Sequence, residues 1–393
     1  MSEVSPPRTD REIEQVTDIL TWSFIAFSAN ATPRLWVERV GLENLRIWRD
    51  NGNVAGTLAM LPMGQYYGGV SVPMGGIAAV GVDASYRGRG IAKKLMVAAL
   101  EELHTQHVPL SVLYPATRTL YRRVGYESAG CRFELRVTPR AIGRLKGTLD
   151  VRLLDDDDLP AVRALYESFA RHHNGTIWRS DYLWLRHWKP ANELSRRFGV
   201  YRDGKLEGYM LALQRPSKEV PGHSDLVLTD ILAGTRDAGL TLLAVLADHS
   251  SLSETITWYG GSHDPIAMLL TERDYSVKLM AHWMLRIVDV VGALEARRYR
   301  AGASGELHLE VRDDVLSHNH GRFVLSVTEG RGTVRPGGQG GVSLDVRDLA
   351  ALYTGFQTPH DLQATGSLVG DDAGLATAAA LFSGSAPWMS DFF

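Results

Sequence analysis

The chain opens with a stretch whose apolar positions recur every three or four residues. Ile13, Val16, Ile19, Leu20 and Phe24 share one helical face behind a candidate N-cap, Thr9 or Asp10. The spacing then changes. Asn51-Gly52 marks a tight turn ahead of VAGTLAMLPMGQYY, and VSVPMGGIAAVGVD is predicted as two short strands broken by Pro73 and a glycine pair. GRGIAKKLMVAALEEL, with Ile91, Leu95, Ala98 and Ala99 on one face, predicts an amphipathic helix. PLSVLYP reads as a buried strand, TRTLYRRV as a short helix and CRFELRV as a closing strand. Helices alternating with strands in this order predict a mixed α/β sheet.

A boundary is predicted near residues 140–150. The next unit begins VRLLDDDDLPAVRALYESFARHH, where successive aspartates precede a helix and favour its N-terminus. Beneath the differences lies an internal repeat. RDNGNVAGTLAM matches RDGKLEGYMLA apart from one deleted position, and both read as strand, turn, strand. Arg87-x-x-Gly90-x-Ala92 corresponds to Arg236-x-x-Gly239-x-Thr241, and LYRRVGY to LLTERDY. The same number of residues separates Arg87 from Tyr121 and Arg236 from Leu270. The first two units are therefore a tandem duplication. A third begins near residue 285 with a predicted helix, MLRIVDVVGALEARRY, whose Ile287, Val291 and Leu294 share a face. Alternating strands and two more helices follow, which makes this unit α+β.

Composition narrows the function. The 393 residues exceed what one core usually serves, and a net charge of −3 provides no global field for nucleic acid or anionic membrane. One cysteine, Cys131, excludes an intrachain disulfide framework and suits a reducing cytoplasm. The polar N-terminus has no signal-peptide pattern, and no apolar run approaches the ~20 residues that span a bilayer, so a cytoplasmic protein is expected. His172-His173 and the pair His318 and His320 lack the cysteine or carboxylate spacing of a zinc site, and no metal is expected.

The candidate chemistry sits in VDASYRGRGIAKKLM. Gly88 and Gly90 allow a pyrophosphate to approach the backbone at a helix start, where free N–H groups and the helix dipole attract anions. Arg87 and Arg89 add charge-assisted hydrogen bonds. The spacing Arg87-x-x-Gly90-x-Ala92 after the strand IAAVGVD resembles the acetyl-coenzyme A loop of the GNAT acyltransferase superfamily, and LYRRVGY falls where that superfamily keeps a tyrosine. The resemblance implies that Val80 and Val82 offer backbone hydrogen bonds to the pantetheine arm. It also implies that N–H groups around Arg87, Gly88, Gly90 and Ile91 hold the pyrophosphate. Tyr121 is then placed to donate a proton to the departing thiolate, since a phenol of pKa about 10 is protonated at neutral pH. The second copy has Leu270 there and lacks this acid.

Two GNAT-like halves followed by an α+β unit with an aromatic end resemble, over nearly the whole chain, the Enhanced intracellular survival family of acetyltransferases. The expected architecture is tandem GNAT-like domains, each a mixed, mostly antiparallel sheet with flanking helices, then a sterol-carrier-protein-like domain. Residues 1–147 are expected as the catalytic acetyl-CoA domain, 148–284 as a degenerate GNAT-like domain lining the substrate cleft, and 285–393 as the domain delivering the C-terminal carboxylate. The resemblance further implies a cytoplasmic homohexamer that acetylates amines of cationic small molecules such as aminoglycosides. Neither nucleic acid nor membrane is an expected partner. The base is expected to be the Phe393 carboxylate, raised from a pKa of about 3.5 by burial beside apolar rings. Phe24, Trp36 and Asp391 are expected at the substrate, although the family often places its acid immediately before the terminal aromatic, where this chain has Phe392. Acetylation of protein lysines or N-termini is the alternative among enzymes. A non-catalytic protein binding an apolar ligand is the alternative outside them.

Overall fold

The computed structural model describes residues 4–24, 32–191 and 193–393. Asp10–Ser23 is the first helix, capped by Thr9, whose hydroxyl accepts from the Glu12 N–H, and it buries Ile13, Val16, Ile19 and Leu20. A second helix, Pro33–Val40, starts on Thr32 with proline in its first turn. Strands Leu45–Asp50, Asn53–Tyr67 and Val70–Val82 form an antiparallel meander, and Leu110–Leu113 joins Val70–Val82 in parallel. The intervening helix, Ile91–Thr105, buries Ile91, Leu95, Ala99 and Leu103 against the sheet.

Val70–Val82 is one continuous strand, where two were expected. Its glycines do not end it. A Cβ on Gly75 would come within 2.6 Å of Leu103, and one on Gly76 would run into Met63 and lie 3.0 Å from the Phe393 ring, so close packing requires them.

The two halves exchange strands within one thirteen-stranded sheet. Tyr275–Ile287 enters the first half between Leu110–Leu113 and Glu127–Val137, antiparallel to both, with Met284 opposite Leu113. Glu127–Val137 in turn pairs with Ser253–Gly260 of the second half. The helix expected from Met284 onward is therefore corrected. Trp283–Ile287 belong to a strand, and only Val290–Ala296 is helical. Trp283, Met284, Leu285, Arg286 and Ile287 are all buried, so both faces of the strand are covered and its alternation disappears.

The second half repeats the pattern. Asp155 caps the turn before helix Leu159–Ala170 in a capping box with Asp158, which accounts for the aspartate run. The last unit is a five-stranded sheet, covered by Val346–Thr354 and Asp372–Leu381. Its core is continuous with that of the first half: Tyr67 meets Tyr353 edge-on at 5.0 Å. Among the described residues no helix is long and apolar enough to cross a membrane.

Candidate active site

The site begins at a defect in pairing. Between Thr57 and Ala59 the register of Asn53–Tyr67 against Val70–Val82 slips, and opposite the slip Ala79 has φ of +52°. One extra residue makes a β-bulge, which bends the strand. Val70–Val82 pairs with Leu110–Leu113 only from Met74 to Ile77, so the edge carrying Val80 and Val82 faces a gap. Both valines are half-buried there.

That strand leads into the arginine-glycine loop. Gly88 and Gly90 have φ of +78° and +73°, and a Cβ on either would meet nothing within 4 Å. Backbone conformation selects glycine here, and open space lies above it. Gly90 is the N-cap of Ile91–Thr105 and supplies no side-chain bond, so the first N–H groups of the helix point outward uncapped. Arg87 is exposed, and Arg89 lies 5.0 Å over Tyr86 and 3.8 Å from Asp50. Ile91 is buried at 4% exposure, so its side chain anchors the helix start while its backbone faces the loop. Open space at the two glycines, uncapped N–H donors and two guanidinium groups fit a pyrophosphate.

The second copy is closed at the same place. Thr235 caps helix Arg236–Ala247 by accepting from the Ala238 N–H at 3.3 Å, and Gly239 is packed against Leu269. The Ala238 and Gly239 N–H groups are thus taken up by Thr235, through its hydroxyl and its carbonyl.

Tyr121 lies on the short helix Arg118–Arg122, packed with Ile77, Ile91 and Leu95. Burial pushes its phenol up to about 12. Its ring meets Tyr126 edge-on at 6.1 Å, and the Tyr126 hydroxyl lies 2.6 Å from Ser111 Oγ, which donates to the Gly75 carbonyl at 3.0 Å. The Tyr121 hydroxyl itself has no hydrogen-bond partner among the described residues.

The chain's end approaches from the other side of the sheet. Gly76 and Ile77 point to opposite faces. The Phe393 ring lies on the Gly76 side, 5.9 Å from Tyr114, whereas Tyr121 packs on the Ile77 side. The two therefore flank the gap from opposite faces.

Asp391 is not placed as expected. Only 1% exposed, it receives Arg179 Nε at 2.8 Å and Nη2 at 3.2 Å, with His187 Nε2 at 2.8 Å. Burial alone would raise this carboxyl, but Arg179 and His187 outweigh burial and hold it well below the ordinary range. Its charge is engaged within the protein, which removes the expected free carboxylate for a substrate amine. Phe24 and Trp36 are half-buried against the main core and flank residues 25–31, which lie outside the described residues. Arg179, His187, Asp230, Tyr114 and Arg132 escaped the sequence analysis, because no local motif marks them.

A bulged, splayed strand pair beside an open glycine cradle and a buried tyrosine defines a GNAT-fold acyltransferase. Comparison with known proteins agrees. Acetyltransferase (GNAT) domain models match residues 6–129 and 175–287, and a sterol carrier protein domain model matches 290–390. An uncharacterized N-acetyltransferase of Streptomyces avermitilis is 30% identical over 83% of each chain. The N-acetyltransferase Eis of Mycobacterium tuberculosis is 28% identical over 78% of this chain and 77% of its own. The crystal structure of a GCN5-related N-acetyltransferase from Anabaena variabilis superposes with a TM-score of 0.95 at 36% identity, covering all of both chains. The chain is an N-acetyltransferase and belongs to the Eis-like family of GNAT proteins. GNAT acetyltransferases in general use acetyl-CoA.

Proposed function

We propose that the protein transfers the acetyl group of acetyl-CoA to a primary amine through a ternary complex at the first GNAT unit. The open cradle at Gly88 and Gly90 carries this reading, because it survives in the copy that also keeps Tyr121. The Arg87, Gly88, Gly90 and Ile91 backbone with the Arg87 and Arg89 guanidinium groups would hold the pyrophosphate. The free edge at Val80 and Val82 would pair with the pantetheine amides. Acetyl-CoA supplies the activated acyl thioester.

The residues then divide the proton traffic between the two faces of the gap. The acceptor amine must be neutral to attack, and the Phe393 carboxylate is proposed to take its proton. Tyr121 delivers a proton to the sulfur that leaves. A phenol raised to about 12 stays protonated throughout the physiological range, as a donor must.

Aminoglycosides are the proposed acceptor class, carried by the family resemblance. Phe24 and Trp36 are proposed to line the acceptor side. With Asp391 paired internally, selectivity for a multiply charged acceptor has to come from other groups. The homohexamer and the cytoplasmic location belong to the same proposal. For assembly, the exposed apolar positions Val277, Leu279 and Met280 along one strand offer surface for a second copy.

The test is thiol release from acetyl-CoA with a panel of aminoglycosides and a lysine-containing peptide. Turnover of aminoglycosides that is lost on extending the chain beyond Phe393 supports the reading. Turnover of the peptide alone selects the protein-acetylating alternative, and undiminished activity of the extended chain removes Phe393 as base.

A further inference from the structure

A guanidinium with essentially no solvent exposure needs a reason. Arg179 is 2% exposed and sits between two carboxylates, Asp391 and Asp230, the latter 2.5 Å from its Nη1. The Tyr209 hydroxyl donates to the same Asp230 oxygen at 2.7 Å. The guanidinium also lies 3.8 Å over the Tyr166 ring and 4.9 Å over Trp184. Every one of these partners except Asp391 belongs to the second GNAT unit. Buried ion clusters add little net stability but fix one arrangement, because a shifted partner leaves a charge unpaired in a dry site. What this cluster fixes is the last segment of the chain.

The rest of the segment is held as closely. The Cys131 N–H donates to the Pro387 carbonyl at 3.1 Å and the Met389 N–H to the Cys131 carbonyl at 3.2 Å, a short parallel pairing along Glu127–Val137. The Trp388 N–H donates to the Asn174 carbonyl, and the ring lies against Phe169 and His173. Arg132 Nε donates to the Ser390 carbonyl at 2.9 Å, the Tyr114 hydroxyl to the Asp391 carbonyl at 2.7 Å, and Arg186 to the Phe392 carbonyl. These bonds fix the path up to Phe392. Two residues beyond the gripped Asp391, the Phe393 ring lies against Gly76.

We infer that Arg179, with Asp230 behind it, is a positioning residue: the second GNAT unit clamps Asp391 so that Phe393 is presented to the gap of the first unit. This gives the closed, acid-less copy a role in acetyl transfer without any reaction of its own. The inference rests on the proposed part of Phe393 in that transfer.

The experiment uses the full chain, Asp391→Asn, Arg179→Lys, and each of these with two residues added after Phe393. Two readouts are taken. One is the rate at which carboxypeptidase A releases Phe393 from the folded protein with its natural end, followed by mass spectrometry. The other is kcat and KM with acetyl-CoA and kanamycin. The clamp predicts release at least tenfold faster in both variants and kcat at least tenfold lower, with the KM for acetyl-CoA within twofold of wild type. In the extended chain the same substitutions should change kcat no further, since the end they position is already displaced. Unchanged release and unchanged kcat in both variants would overturn the clamp, as would full, independent losses in the extended chain. If extension alone leaves kcat intact, Phe393 is not the base, and the clamp is then judged on release alone. Should Asp391→Asn fail to fold, Arg179→Lys carries the comparison, because it keeps a cation between the carboxylates but not the fork that grips Asp391.

Discussion

Asp391 and Arg179 lie 212 positions apart in the chain and meet as a buried ion pair, Nε to Oδ1 at 2.8 Å. Their contact joins the last residues of the third unit to the second, while the aromatic pair that follows reaches the first. The candidate site therefore draws residues from all three units. The exchange of Tyr275–Ile287 and Glu127–Val137 between the halves joins them within one sheet, since neither half completes its strand pairing alone.

Replacing Tyr121 by phenylalanine should lower kcat by about 10²-fold or more, the range for loss of a positioned proton donor. The packing cost should be small because the hydroxyl has no partner among the described residues. Acetyl-CoA affinity, measured by calorimetry, should be unchanged. Since the phenol is raised to about 12, titration of Tyr121 should contribute no fall in kcat as pH rises through 10, where an exposed phenol would ionise. A basic limb near pH 10 that is present in the wild type and absent from Tyr121→Phe would contradict the burial of this phenol.

At Gly90 the expected penalty is conformational. Gly90→Ala places a Cβ in open space but on a left-handed backbone, which costs roughly 1–2 kcal/mol. Any relaxation of that strain rotates the N–H groups at the start of Ile91–Thr105 away from the cradle. We expect a lowered melting temperature together with at least a tenfold weaker Kd for acetyl-CoA. Gly239, by contrast, lies inside helix Arg236–Ala247, four residues past its Thr235 cap, so Gly239→Ala meets only the movable end of Leu269 and should leave cofactor affinity alone.

How much of this was legible in the sequence follows from how local each feature is. Gly88 and Gly90 and the helix they open are set by neighbouring residues, so the arginine-glycine spacing carried the cradle without help from distant contacts. The same holds for the Thr9 cap and the apolar stripe behind it. Trp283–Ile287 misled because a strand buried on both faces loses its alternation, and Ile287, Val291 and Leu294 then imitate a helical stripe. Gly75 and Gly76 looked like a break, since what makes them necessary, Leu103 and the Phe393 ring, lies far along the chain. Asp391 looked like a free carboxylate for the same reason. Nothing near it announces Arg179.

The charge on Asp391 makes the clamp sensitive to acid. Because its folded pKa is held well below the ordinary carboxylate value, it stabilises the protein above an unfolded pKa of about 3.9 and loses that contribution as pH falls toward the folded value. Asp391→Asn removes one partner of a buried pair, which typically costs about 3–5 kcal/mol. Melting curves should therefore show a constant gap between wild type and Asp391→Asn from pH 5 to 8, closing below about pH 4. A gap that persists undiminished to pH 2 would assign the loss to shape and not to charge.

Gly76 is where the tail and strand Val70–Val82 are forced to share space. A side chain there meets the flexible end of Met63, which can move, and the Phe393 ring at 3.0 Å, which is held in place through Asp391. Gly76→Ala should displace the ring by a few tenths of an ångström, and Gly76→Val should expel it. The strand itself pairs normally at this position, with Leu61 on one side and Val112 on the other, so the backbone has no reason to yield. We expect kcat to fall stepwise from glycine to alanine to valine while the acetyl-CoA Kd, assigned in the proposal to Gly88 and Gly90, stays within twofold. Carboxypeptidase release of Phe393 should accelerate in the same order. If kcat falls while release stays at the wild-type rate, the loss comes from the strand edge, and Phe393 is not the residue that Gly76 makes room for.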